Sequence, residues 1–316
     1  MELLVSVFCK TYNHERYLRT CLESLVSQVT DFDYEILVHD DASTDNTQDI
    51  IREYEKRYPG LIKPIYQIVN QYSQRINTTV KFLLPRARGK YIAICEGDDF
   101  WTDVYKLQKQ VDFLETHPDY SLCGHAAYYA DENNSLSEKE FFRPYNQSQC
   151  IPFSEILKGW RLATNSLVYR RDARGDGVIP YQHDCPNGDY AAVVYLGLKG
   201  KIYYLDELMS AYRRNSVGSL NWVWRSDPEK YKASRMKYID MLKRIDVYTD
   251  YQYQAIIYEY IDQTMFDLYL TLGDYRGAKK DTDRYNKLQL LVKVKLIIKY
   301  YFPFLIKIVR RIKGQI

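Results

Sequence analysis

Tyr91-Ile92-Ala93-Ile94-Cys95-Glu96-Gly97-Asp98-Asp99-Phe100-Trp101 decides the reading of this chain: a short apolar strand runs straight into two adjacent carboxylates and then two aromatics. No cation stands beside the pair in the sequence. Like charges buried side by side repel, so a partner must neutralise them, and hard oxygen donors at a strand end suit Mg2+ or Mn2+. Gly-Asp-Asp is also good turn chemistry, and taken alone a solvated turn accounts for these residues equally well.

Upstream, residues 3–9 read as a buried strand leading into Lys10-Thr11-Tyr12-Asn13-His14, and residues 34–38 as a second ending in His39-Asp40-Asp41-Ala42-Ser43-Thr44-Asp45. In an open, mainly parallel α/β sheet, the strand ends along one edge line a common crevice where ligands sit. Asp41 and Asp98/Asp99 are therefore expected to face one site from neighbouring strands. Helical spacing predicts crossover helices over 15–28 and 45–58, the second capped by Ser43-Thr44, and further helices over 78–84 and 106–116. Strands are expected over 62–68 and 121–130. Residues 131–149, rich in Asn, Ser and Glu, read as a mobile polar loop over the site.

Taken in order, Val5-Ser6-Val7 with Thr11-Tyr12-Asn13, then Val38 to Asp45, then Gly89-Lys90-Tyr91-Ile92 with Glu96-Gly97-Asp98-Asp99-Phe100-Trp101, resemble the successive motifs of family 2 glycosyltransferases. The resemblance covers roughly the first two thirds of the chain. It implies an α/β, GT-A (Rossmann-like) fold with a mainly parallel sheet flanked by helices, and transfer of a sugar from a nucleotide donor. It further implies Asp99 as a ligand of Mn2+ or Mg2+, with Asp98 sharing the metal or reaching the ribose. Asp41 would accept a hydrogen bond from the nucleobase, with Thr11 and Tyr12 completing its pocket. Glu96 stands where many relatives carry Asp, and would contact metal or sugar.

Asp189, in Cys185-Pro186-Asn187-Gly188-Asp189-Tyr190, reads locally as an ordinary cap of the helical run 191–198. The resemblance instead implies that it is the catalytic base of an inverting reaction, facing the acceptor hydroxyl. After that helix, Tyr212-Arg213-Arg214-Asn215-Ser216 resembles a segment that in relatives often presents a histidine to the diphosphate; here that place falls to Asn215. Arg213 or Arg214 is the candidate for the missing positive charge, against the plainer reading of two solvated arginines. Residues 131–149 and Thr164-Asn165-Ser166 are where sugar specificity is expected to reside.

Composition is consistent with an enzyme of this kind. At 316 residues there is room for one large domain and an appendage, expected as a nucleotide-sugar-binding and catalytic domain over 1–222 and a helical C-terminal region over 223–316. The six cysteines are scattered without a C-x-x-C pair and read as free core thiols of a reducing cytosol. No signal peptide is evident at the first residue. Neither G-x-G-x-x-G after the first strand nor G-x-x-x-x-G-K-[ST] is present, which argues against a dinucleotide enzyme or a P-loop NTPase.

The tail carries a separate signal. The formal net charge is +3, and residues 288–316 hold seven Lys or Arg and no acid, so the remainder of the chain carries −4. Leu290, Val294, Ile297, Ile298, Tyr301, Leu305, Ile308 and Ile312 recur at helical spacing opposite the cations, with Pro303 as a break. This is the pattern of a helix lying on an anionic membrane, and it disfavours nucleic acid as the partner. A helix packed on its own domain is the competing reading.

The sequence is thus expected to encode a cytoplasmic enzyme, peripheral on the inner face of the cell membrane. It would move a sugar from a nucleotide-sugar donor, UDP-linked by preference, to a hydroxyl of a lipid-linked glycan in capsule, lipopolysaccharide or exopolysaccharide synthesis. The alternatives are a nucleotidyltransferase and a non-catalytic partner of a polysaccharide assembly complex. The sugar, the linkage and the oligomeric state, a homo-oligomer included, stay open.

Overall fold

Apolar runs that are buried on both faces set the architecture. In the computed structural model, which describes residues 2–185, 188–214, 227–302 and 304, β1 (Leu3–Thr11) lies parallel to both of its neighbours, β2 (Asp33–Asp40) and β4 (Tyr91–Ile94). β3 (Ile62–Tyr66) extends the parallel set beyond β2. Two crossover helices cover this half. α1 (Leu18–Val26) buries Leu18, Cys21, Leu22 and Leu25, and α2 (Thr47–Arg57) buries Thr47, Ile50, Ile51 and Tyr54. Each set repeats at i, i+3, i+4 and i+7, the single stripe an amphipathic helix lays on a sheet. Leu22 is fully enclosed, and truncating such a leucine to alanine costs about 2–5 kcal/mol.

The remaining elements of residues 1–222 are β5 (Phe100–Trp101), α3 (Lys106–Thr116), β6 (Tyr120–Ala130), β7 (Leu136–Phe142), β8 (Gln149–Ile151), α4 (Phe153–Ile156), β9 (Val168–Arg170), α5 (Arg171–Arg174), α6 (Gly188–Gly197) and β10 (Lys201–Arg213). The sheet runs β3-β2-β1-β4-β9-β6-β10-β5, with β7 on β6 and β8 on β10. It is parallel across its first four strands and again at β6–β10, whereas β9 runs antiparallel to β4 and β6.

Several expectations change. Asp41 and the Asp98/Asp99 pair follow strands that flank β1 and do not neighbour one another. Ser43-Thr44 does not cap α2: the N-cap is Asn46, and Asp45 accepts the Thr47 N–H at 3.0 Å. The helix expected over 78–84 is one π turn, Thr79–Leu83, followed by a 3-10 turn at Leu84–Arg86 where Pro85 removes a donor. Residues 131–149 are not one loop. They contain β7, whose polar outer face hid its strand character from a reading by composition. Of the six cysteines, Cys9, Cys21, Cys95 and Cys123 are buried, whereas Cys150 is exposed and Cys185 partly so.

The chain divides into two compact units, Met1–Trp222 and Val223–Ile316. In the second, Asp227 caps the helix Pro228–Tyr248 by accepting from the Glu229 and Lys230 N–H groups, and Gly273, at φ 79°, ends the helix Gln254–Leu272. Two short helices, Tyr275–Lys280 and Thr282–Lys287, lead to the terminal helix Leu290–Tyr301. That helix packs through Leu296 against Phe266 and Ala278. The cations are not all on the outer side: Lys293 Nζ donates to the Asn286 carbonyl at 2.9 Å, and Lys299 Nζ to that of Thr271. Leu290, Val294, Ile298 and Tyr301 face outward, from 37% to 77% exposed. Leu305, Ile308, Ile312 and the cations from Lys307 onward lie outside the described residues.

Candidate active site

Two loops after β1 and β2 are sewn together by side chains. Asn13 accepts the Thr44 N–H at 2.8 Å, Ser43 Oγ accepts the Asn13 N–H at 2.9 Å, and Thr47 Oγ1 accepts the His14 N–H at 2.9 Å. Asn13 and Ala42 adopt positive φ, 54° and 62°, to make this possible. The two aspartates there differ. Asp40 is spent on its own turn, accepting from Ser43 and from Gln48 Nε2. Asp41, 6% exposed, accepts the Gln71 N–H at 2.7 Å on Oδ1 and the Tyr72 N–H at 3.0 Å on Oδ2. Each oxygen keeps a second lone pair. Tyr12 is exposed beside the buried Thr11, whose Oγ1 has no hydrogen-bond partner among the described residues.

The acidic turn after β4 is pressed against that loop. A Cβ on Gly97 would sit 2.8 Å from Thr11 Cβ and Oγ1 and 2.9 Å from His14 Nδ1, so only glycine permits this approach. Lys10 pairs with Glu96 at 3.2 Å. Burial would lower the Lys10 ammonium, but the charge and hydrogen bond of Glu96, with Asp189 adding to them, hold it above its ordinary value.

The Asp98/Asp99 pair has the cation that its sequence neighbourhood lacks. Arg213, at the end of β10 and 5% exposed, gives its backbone N–H to Asp99 Oδ1 at 2.8 Å and its Nε–H to the Asp98 carbonyl at 2.7 Å. Its other guanidinium nitrogens bond the Asp131 carbonyl and Asn134 Oδ1, and the group lies 4.0 Å from the Tyr17 ring centroid. Arg213 is therefore a buried strut that straps the β6–β7 turn to the acidic turn, not a solvated arginine. Arg214 instead pairs with Glu140 at 2.9 Å and stacks on Tyr129. Even so, burial and the charges of Asp98 and Glu96 outweigh Arg213 and push the Asp99 carboxyl well above the usual range. A 3% exposed carboxylate beside the carboxylates of Asp98 and Glu96 offers oxygen donors that fit a hard divalent cation. Among the described residues no group of three or more His, Cys, Asp or Glu is placed to hold a metal. Two carboxylates completed by substrate phosphates are a common set for Mg2+.

Asp189 opens α6 half-buried. Its Oδ2 accepts from Thr164 Oγ1 at 2.8 Å and from Trp160 Nε1 at 3.3 Å, and its Oδ1 from the Tyr190 N–H at 2.8 Å. Lys10 and Tyr212 each feel the charge of this carboxylate and of the acidic turn. Tyr212 carries a phenol raised first by burial and then by the charges of Asp99, Glu96, Asp98 and Asp189. Sequence reasoning missed Tyr212 and Trp160, since nothing in their spacing sets them apart from the other aromatics. Asn165 and Ser166 are fully buried and bonded internally, so they are not available to read a sugar. Asn215 lies outside the described residues.

A family model described as Glycosyl transferase family 2 matches residues 6–174. Uncharacterized protein Rv1520 of Mycobacterium tuberculosis is 36% identical over 238 residues, which span 73% of this chain and 64% of that relative's length. TuaG of Bacillus subtilis, whose name assigns it to teichuronic acid biosynthesis as a glycosyltransferase, is 27% identical over 69% of this chain and 83% of its own. Staphylococcus aureus TarS 1–349 in complex with UDP-GlcNAc superposes with a TM-score of 0.54 at 16% identity, covering 95% of this chain and 93% of that one. The mannosyltransferase PcManGT of Pyrobaculum calidifontis, in complex with GDP-Man and Mn2+, gives 0.59 at 14% identity, covering 96% and 82%.

Proposed function

Because this chain belongs to the family 2 glycosyltransferases and has their GT-A fold, we propose that it transfers a sugar, with inversion, from a UDP-sugar to a hydroxyl of a lipid-linked glycan in surface-polysaccharide synthesis. The observation that carries this reading is the acidic turn after β4, whose Asp98 and Asp99 are strapped by Arg213 and whose Gly97 presses it against the Thr11 loop. Asp41 takes an N–H of the nucleobase on a free lone pair, with Thr11 and Tyr12 beside it. Asp99 and Asp98 hold Mn2+ or Mg2+, which when bound supplies Lewis-acid stabilisation of the departing diphosphate. Glu96, tethered by Lys10, faces the sugar or metal, and Arg213 lends its charge from behind the pair. Asp189 accepts the acceptor proton as the hydroxyl attacks the anomeric carbon. TarS in complex with UDP-GlcNAc supports the uridine donor, PcManGT with GDP-Man makes a guanosine donor its competitor, and the name of TuaG supports surface-polysaccharide synthesis.

The terminal helix suits a peripheral site on the inner face of the cell membrane, since it turns Leu290, Val294, Ile298 and Tyr301 outward while its Leu296 side packs inward. Among the described residues no helix is long and apolar enough to cross a membrane.

Release of nucleoside diphosphate from UDP-, GDP- and dTDP-sugars, with Mn2+ or Mg2+ and then chelator, tests the reading on wild type and Asp99→Ala. Metal-dependent release from one donor, lost in the variant, is expected. Silence across the panel with membrane extract as acceptor overturns it. For the membrane, Val294→Glu with Ile298→Glu is expected to lower binding to anionic vesicles at least tenfold; unchanged binding removes the helix from that role.

A further inference from the structure

Asp189 is gripped asymmetrically. A carboxylate oxygen has two in-plane lone pairs, and both of those on Oδ2 are filled, one by the Thr164 hydroxyl and one by the Trp160 indole N–H. Among the described residues Oδ1 accepts a single donor, the Tyr190 N–H, which leaves one of its lone pairs open.

The gripping residue is itself fixed with unusual thoroughness. Thr164 begins the 3-10 turn Thr164–Ser166, and the two residues after it have no exposure at all. Asn165 donates Nδ2 to the Ala211 carbonyl at 2.8 Å and accepts Ser210 Oγ on Oδ1 at 2.9 Å, both on β10. Its carbonyl accepts the Trp101 indole N–H at 3.0 Å. Gln110 Nε2 holds the Ser166 carbonyl at 2.9 Å. Trp101 is two residues beyond Asp99, and Ser210–Ala211 lead directly into Tyr212 and Arg213. The turn that aims Asp189 is thus bolted to the same two strands that carry the acidic turn and its arginine. Thr164-Asn165-Ser166 was expected to read the sugar, yet its geometry serves the carboxylate.

We propose that Thr164, seconded by Trp160, is a positioning residue for proton transfer: it occupies Oδ2 of Asp189, so that Oδ1 is the atom that receives the acceptor proton, and the buried Asn165 keeps that aim in register with the diphosphate site. This rests on the reading of Asp189 as base. In the step, the acceptor O–H bond breaks, its proton passes to Oδ1, and the oxygen electron pair forms the new bond to the anomeric carbon. The bond from that carbon to the diphosphate oxygen breaks, and the nucleoside diphosphate departs with the pair. The proton on Oδ1 leaves to solvent before the next turnover.

The test compares wild type, Thr164→Val, Thr164→Ser and Asp189→Asn, with the donor that supports release in the panel above and membrane extract as acceptor, and UDP with Mn2+ as the binding probe. Removing one hydrogen bond to a charged group is expected to lower kcat about 10- to 100-fold in Thr164→Val. The donor KM, UDP affinity and melting temperature should stay at wild-type values, and Thr164→Ser should restore most of the rate. An inactive Asp189→Asn beside a fully active Thr164→Val overturns the positioning role and leaves the base. A Thr164→Val whose loss lies in KM or melting temperature, or that Ser does not rescue, overturns it as well. An active Asp189→Asn overturns the base assignment and this inference with it, and no release by the wild type overturns the functional reading itself.

Discussion

The acidic turn after β4 and the start of α6 both carry carboxylates of the candidate site, but they are held by opposite means. Asp99 is buried beside the partly exposed Asp98, and the fold answers with a buried arginine whose charge does not offset burial and the neighbouring carboxylates, so the Asp99 carboxyl is still held well above its usual range. Asp189 is half-buried and held, among the described residues, by three neutral donors that leave one lone pair open. The first arrangement waits for more cation; the second waits for a proton. Charge and direction are separate requirements, and the chain meets them on separate elements.

The contrast can be broken most forcefully at Asp189. Asp189→Asn keeps shape and hydrogen-bonding capacity but loses the base, and kcat is expected to fall about 10²–10⁴-fold. Nucleotide affinity and melting temperature should hardly move; a matching loss of stability would place Asp189 with the structural carboxylates. Arg213→Met should act in the reverse sense. It leaves the acidic pair without its buried counter-charge and unties Asp131 and Asn134, so urea denaturation should report a loss of about 3–5 kcal/mol. A change below about 1 kcal/mol would show that solvent or metal already balances the pair.

A third buried charge sharpens the comparison from the other side. Lys106 is fully enclosed, 4.2 Å from the Trp101 ring centroid and bonded to Gln110, and it forms no ion pair among the described residues. Burial pulls its ammonium down to about 7. The unfolded chain keeps that proton up to about pH 10 whereas the folded chain sheds it above about 7, so stability rises with pH across that window. Lys106→Met should therefore stabilise by about 1–4 kcal/mol at pH 7. The gain should shrink as pH approaches 10, which thermal melts of the two proteins across that range would show. A gain independent of pH would mean that Lys106 is not the group that titrates.

Much of the fold was legible because its signals are local. Strands β1, β2 and β4 are apolar runs broken by polar turns, and α3 follows from its spacing alone. The acidic turn was legible too, since adjacent carboxylates after an apolar strand violate the usual composition of a core. What stayed hidden depends on pairing between distant segments. In the sequence Arg213 and Arg214 compete for one charge and either could be solvated; only β10, by bringing Arg213 beside a turn more than a hundred positions earlier, tells them apart. Nothing near Thr164 announces Asp189 as its partner. β7 was lost to composition, because a strand with a wet outer face resembles a loop. The terminal helix was read with its cations outward, and only its packing shows Lys293 and Lys299 reaching back to backbone carbonyls.

The reversed strand β9 has a consequence for how the chain is made. Strand β4 ends at Ile94, and the edge it offers stays unpaired until Val168 begins β9, 74 residues later. At about 5–20 residues per second, a ribosome leaves that apolar edge open for roughly 4–15 s. During that interval the nascent chain holds a half-built sheet with a naked hydrogen-bonding margin, the form most prone to join another chain. β9 is thus the stitch that ends this vulnerable period, and it draws in the Thr164 turn just before it. The residues that aim the chemistry arrive with the strand that makes the young protein safe from its neighbours.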